Sequence, residues 1–180
     1  MQTLTQYHFR LLARLDALSP VLPPLALRIL LAWEFGEAGY AKLNGINWFG
    51  MLDFPFPFNL LPAEVSWQMA TWFELVGAAA LLLGLATRFF ALSLMMLTIV
   101  AIASVHWPEQ WSTLAELLRG YRVTDSEGDG FGNYKLPLIY LVMFLPLLFA
   151  GAGRISLDAW LKPFFKPAYA GSRDARQYFF

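Results

Sequence analysis

Residues 25–43 read LALRILLAWEFGEAGYAKL and residues 64–86 read EVSWQMATWFELVGAAALLLGLA. Each run is long and apolar enough to cross a bilayer as a helix. The first nevertheless carries Glu34 and Glu37, and the second Glu74. A carboxylate at the centre of a lipid-exposed helix costs roughly 2.5 to 3.5 kcal/mol, so a fold built on these runs must hide the acids or give them partners. The short connection favours antiparallel helices. A rise of 1.5 Å per residue then puts Glu34 about 14 Å deep, Glu37 about 18 Å and Glu74 about 15 Å. All three fall near the midplane of a hydrocarbon core about 30 Å thick. The expectation is one interior carboxylate cluster, which cannot be fully charged without compensation.

Further along, residues 89–105 and 134–151 form two more apolar runs, the last broken by Pro146, which predicts a kink. With 58% hydrophobic and 14% charged residues in 180, the chain is too apolar for an ordinary soluble domain. It reads as one all-α integral membrane domain over residues 1–180, a four-helix bundle. Leu4, Tyr7, Leu11, Leu15 and Leu18 share one helical face opposite Gln6, Arg10 and Arg14, predicting a surface helix over 4–18. A cleaved leader is not expected there, because Ser19, Pro20, Pro23 and Pro24 interrupt the run and no small-x-small site follows. A second interfacial segment is expected over 156–166, with Ser156 as its N-cap. Trp48, Phe49, Phe54, Phe56 and Phe58 predict an aromatic-rich outer cap at head-group level.

Eight bases (Arg10, Arg14, Arg88, Arg154, Lys162, Lys166, Arg173, Arg176) fall on one side of these spans, against four (Lys42, Arg119, Arg122, Lys135) on the other. By the positive-inside rule both termini face the cytoplasm. Zero net charge without a basic run gives no electrostatic case for nucleic acid. The lack of cysteine excludes thiolate metal sites, iron–sulfur clusters and thiol relays, so any redox chemistry needs a borrowed cofactor.

Ala70, Gly77 and Gly84 recur every seven residues and share a face with Glu74, which aims that carboxylate at a helix contact. The simplest packing sets this face against Glu34, Glu37, Ala38 and Ala41. Such a pocket either handles protons or anchors a ligand, with Glu34, Glu37 and Glu74 as the catalytic candidates; the alternative is structural glue between helices. Arg28, Arg88, Trp33, Tyr40 and His106 are the candidates for holding a cofactor, His106 because an imidazole at the outer edge suits a quinone carbonyl. Asp125, Glu127 and Asp129 with Gly130 look like the start of a calcium loop, but Leu136 replaces the closing glutamate, so the metal signal is weak.

Taken together, Arg28 through Lys42, the set Glu74, Gly77, Gly84, Thr87 and Arg88, His106, and the terminal GAGRISLD at 151–158 resemble the DoxX family of small four-span bacterial membrane proteins. The resemblance spans about residues 20 to 162, with Ala152 where the family often has proline. It implies a multi-pass protein of the bacterial inner membrane. The stretch from Thr124 to Pro137 is similar to a subgroup linked with maturation of copper-binding modified peptides, and so with copper homeostasis. That subgroup implies as partners a precursor peptide and its iron-dependent modifying enzyme. The wider family implies instead a quinone-linked redox subunit. The favoured expectation is an accessory protein docking a partner through Trp111, Phe131 and Tyr134; the alternative is quinone chemistry at the buried acids. Membrane lipid is the remaining expected partner, and a homo-oligomer stays open.

Overall fold

The computed structural model describes residues 2–108, 112–118 and 133–164, and the regular elements within them are all helical. They are α1 (Gln2–Leu18), α2 (Leu22–Asn44), α3 (Ala63–Leu83), α4 (Thr87–Ala101), α5 (Leu114–Leu117), α6 (Lys135–Ala150) and α7 (Leu157–Leu161). One π turn, Ile102–His106, prolongs α4, and two 3-10 turns, Phe49–Met51 and Phe58–Leu60, lie between α2 and α3. Helix α2 packs on α3, α3 on α4, α4 on α6 and α6 back on α2, closing a ring of four. Leu31, Phe35, Leu81, Leu94, Phe144 and Leu147 fill its centre.

Local chemistry sets the boundaries. The chain breaks at Ser19–Val21, so α1 and α2 meet at a bend of 46°. Pro23 and Pro24 do not delay α2 as expected, because they occupy its first turn, where the missing N–H has no intrahelical acceptor to lose. Helix α3 stops at Gly84, whose left-handed φ of +67° lets the Leu85 N–H return to Ala80 O at 2.9 Å. Any side chain there would collide, since an added Cβ would lie 2.5 Å from Ser156 Cβ. Three residues later α4 begins, its first N–H groups satisfied from far along the chain. Asp158 Oδ1 accepts from Ala86 N at 2.7 Å and Oδ2 from Thr87 N at 2.9 Å. Ser156 caps its own short helix, accepting from Ala159 N at 3.1 Å. Pro146 lies inside α6 without ending it.

The small-residue stripe of α3 serves three neighbours rather than one. Gly77 abuts Leu94 of α4 and Gly84 abuts Arg28 and Ser156, while Ala70 borders a cavity. Close approach of α2 and α3 depends instead on Gly39, where an added Cβ would stand 3.0 Å from both Glu74 Cβ and the Leu75 nitrogen.

One end of the ring is fastened by Arg28, which is 2% exposed. Its Nε donates to Leu81 O at 2.7 Å and its Nη2 to Leu82 O at 2.7 Å, serving carbonyls of the last turn of α3. Its Nη1 donates to Ala152 O at 3.0 Å and Ile155 O at 2.7 Å. The planar fork thus joins α2, α3 and the 151–156 turn in one contact, which a lysine ammonium cannot span. Arg28→Met is expected to cost roughly 3 to 5 kcal/mol and Arg28→Lys at least about 2, because buried carbonyls lose charged donors. Denaturant titration of the purified protein in detergent measures this; wild-type stability in the lysine variant would refute the clamp.

Candidate functional site

From the opposite end, and reaching along α4 as far as Phe89, a cavity of about 700 Å³ lies between α2, α3, α4, α6 and the aromatic loop. Its wall is largely apolar, contributed by residues such as Phe35, Phe73, Leu97 and Val105. The roof is a ring cluster: Phe49 lies with its centroid 5.0 Å from Trp67, 5.1 Å from Trp48 and 5.2 Å from Phe54. The expected aromatic cap is therefore packed on the bundle rather than loosely attached.

Few polar groups reach this cavity, and most are paired. Glu74 is 3% exposed, and its carboxylate accepts from Lys42 Nζ at 2.7 and 2.9 Å. Lys42 follows Gly39 by three residues, so it lies on the same face of α2 where the helices come closest. Its aliphatic stem can run along apolar surface and bring the ammonium inward. Two N–H groups serve Glu74, leaving the third of the ammonium's donors for a ligand. Across the cavity the Tyr140 hydroxyl donates to Glu34 Oε2 at 2.5 Å. His106, raised on the π turn, meets Asn133 through Nδ1 and Oδ1. That amide oxygen only accepts, so Nδ1 is the donor in this contact and Nε2 is the ring atom left for a ligand. The Ser66 and Ser104 hydroxyls border the same space and are buried without a hydrogen-bond partner.

The three-carboxylate cluster is thus corrected. Glu74 is interior, Glu34 is exposed at the cavity margin beside Tyr140, and Glu37 is exposed on the outer face of α2. Glu34 and Glu37 lie off the inward stripe of α2, which runs through Leu31, Phe35 and Gly39, so equal depth does not bring them to Glu74. Of the cofactor candidates, His106 borders the cavity, whereas Trp33 and Tyr40 are 71% and 65% exposed. Arg28 is committed to the clamp, and Arg88 donates to Phe149 O at 2.9 Å, away from the cavity. Tyr134 donates to Leu117 O at 2.6 Å, and its ring lies 5.3 Å from that of Trp107. Trp111, Phe131, Asp125, Glu127 and Asp129 lie outside the described residues, among which no group of three or more His, Asp or Glu is arranged to hold a metal. Lys42, an outer charge by hydropathy, and Tyr140, inside the fourth apolar run, join the site only through the fold. The signal for Lys42 was its position three residues beyond Gly39.

Removing either partner of the Lys42–Glu74 pair strands a charge or its acceptor in an apolar wall. Lys42→Met and Glu74→Met are each expected to cost roughly 2 to 4 kcal/mol, with the double variant falling short of their sum by roughly 2 kcal/mol. Equilibrium unfolding of all four proteins closes the cycle; strict additivity would show that the two side chains act independently.

Known proteins place the chain. The DoxX family model matches residues 24–107. A Haemophilus influenzae protein, described as uncharacterized, is 46% identical over 140 residues, covering 77% of this chain and 82% of the relative. No solved structure matches. With the apolar composition and the helical ring, these matches identify the chain as a membrane protein belonging to the DoxX family.

Proposed function

We infer that this protein spans the membrane four times and binds a lipid-soluble small molecule with an apolar body and a polar ring head, of the quinone class. The observation that carries the reading is the cavity itself: about 700 Å³, apolar in most of its wall, and bordered by the Lys42 ammonium, the His106 imidazole and two unpartnered hydroxyls. Cavities that hold small molecules have this size and this ratio of apolar wall to polar points. The spare Lys42 donor suits a carbonyl of the oxidised head, and the His106 ring suits a hydroxyl of the reduced one. Bound quinone would supply the redox chemistry that the side chains cannot. The protein's own part is to orient the head through Lys42 and His106 and to keep water out with the Phe49–Trp67 roof.

By length and hydropathy one helix, or two with a bent pair, suffices to cross, and the four-span reading is supported by what faces outward. Thr87–His106 meets the length and hydropathy of a crossing helix, as does the bent pair Gln6–Leu18 and Leu22–Asn44 taken together, while Lys135–Ala150 is apolar and shorter. Leu30, Trp33, Val76, Ile99, Val142 and Phe149 are all exposed, so α2, α3, α4 and α6 each turn large apolar groups away from the ring. Such a belt on every helix suits lipid contact. The basic asymmetry then puts both termini in the cytoplasm. The peptide-docking reading has no comparable support: Trp111 and Phe131 lie outside the described residues, and the Tyr134 hydroxyl is engaged by Leu117.

The natural absence of cysteine makes topology directly testable. In intact cells, Asn59→Cys is expected to react with an impermeant thiol reagent and Ser19→Cys only after lysis; the inverse pattern would reverse the orientation. Ligand identity is read by extracting protein purified in mild detergent and identifying released molecules by mass. Quinone near one per chain is expected, reduced on the order of tenfold or more in Lys42→Met and His106→Ala, as loss of a hydrogen bond to a charged or well-placed donor implies. Quinone-free protein, or equal content in both variants, would defeat the assignment.

A further inference from the structure

The end of the bundle opposite the aromatic roof holds a second cavity of about 950 Å³, between the α1–α2 break, the start of α4 and the chain from Pro146 to Lys162. Its charged walls are three bases, Arg88, Arg154 and Lys162, and two acids, Asp16 and Asp158. The three bases outnumber the two acids, leaving an excess of one positive charge. Both Asp158 carboxylate oxygens are already engaged by the N–H groups of Ala86 and Thr87, at 2.7 and 2.9 Å, so their hydrogen-bonding capacity is spent on the start of α4 rather than on the bases. Arg88 is steadied by one bond to Phe149 O and lies over Gly151, where an added Cβ would stand 3.7 Å from its Nε. Its other N–H groups remain for an acceptor. Thr87 borders the same cavity at 0% exposure, and its Oγ1 is buried with no hydrogen-bond partner. An unpaired buried hydroxyl of this kind needs an acceptor to offset its desolvation. Beside these groups, Phe89 and Phe149 are 59% and 75% exposed, giving an apolar strip running away from the charges.

We propose that this cavity holds the phosphate of an anionic phospholipid, with Arg88, Arg154 and Lys162 as its counter-charges and Thr87 as a hydroxyl donor. A phosphate is an acceptor-only anion that matches guanidinium forks, and basic pockets between helices at head-group depth bind such lipids. The apolar strip distinguishes a lipid from free phosphate, which would gain nothing from Phe89 and Phe149. The proposal rests on the four-span reading only in putting this end of the ring at head-group level, which thiol labelling at Ser19 and Asn59 tests by itself. Quinone content reports separately on the other cavity.

The full chain is reconstituted in nanodiscs of phosphatidylcholine with and without phosphatidylglycerol, then released, and retained lipid is counted by native mass spectrometry. Wild-type protein is expected to keep phosphatidylglycerol in preference to phosphatidylcholine. Arg154→Gln and Lys162→Gln should each lower that preference on the order of fivefold, the usual effect of one base at an anionic surface. Thr87→Val, which changes no charge, should also lower it. The paired change Arg10→Gln with Arg14→Gln removes two charges from α1, outside the cavity, and should leave the preference intact. No preference in the wild type, an equal loss in the α1 pair, or full displacement of the lipid by inorganic phosphate would each overturn the assignment.

Discussion

The fold depends on a buried guanidinium whose hydrogen bonds, among the described residues, go to main-chain carbonyls. Arg28 is held by four main-chain carbonyls, from the end of α3 and from the turn after α6, so the charge is solvated by the backbone of its own neighbours. A helix end buried without partners would be costly, and so would a lone buried cation; each removes the other's penalty. Around this point the remaining junctions follow. Gly84 must be glycine to let the fork pass, Asp158 must reach back to start α4, and Arg154 N must donate to Pro20 O, at 3.0 Å, to close the turn on the α1–α2 break. The terminal GAGRISLD segment therefore has a structural part, tying three inter-helix junctions.

The polar groups at the other end obey a different rule. Lys42 with Glu74, Tyr140 with Glu34, and His106 with Asn133 are three separate pairs placed around one apolar volume. Each pair lowers the cost of keeping a polar group at depth, and each leaves some capacity toward the cavity. A pair confined to satisfying itself would be glue. Here the unpartnered Ser66 and Ser104 hydroxyls on the same wall indicate a volume arranged around something that is itself partly polar.

Much of the helical layout was legible from hydropathy, because period and length are properties of a segment alone. The expected runs at 25–43, 64–86, 89–105 and 134–151 correspond to helices 22–44, 63–83, 87–106 and 135–150, with Gly84 and the prolines at 23 and 24 accounting for the largest shifts. The site was less legible. Depth along an axis can be counted from rise per residue, but azimuth depends on which neighbour a helix meets, and that placed Glu34 and Glu37 wrongly. Reading Gly39 as the point of closest approach, rather than the Ala70–Gly77–Gly84 repeat, would have turned α2 correctly. Arg28 could not be assigned by charge matching at all, since its partners are carbonyls that every residue possesses.

The two ends of the ring are joined by unlike materials. Directional bonds from Arg28 and Asp158 hold one end and resist any change of distance, whereas edge-to-face rings of Phe49, Trp48 and Trp67 close the other through non-directional contact that yields more readily. Thermal breathing of such a body resembles that of tongs: the pivot lies at the arginine, and amplitude grows toward the aromatic tips.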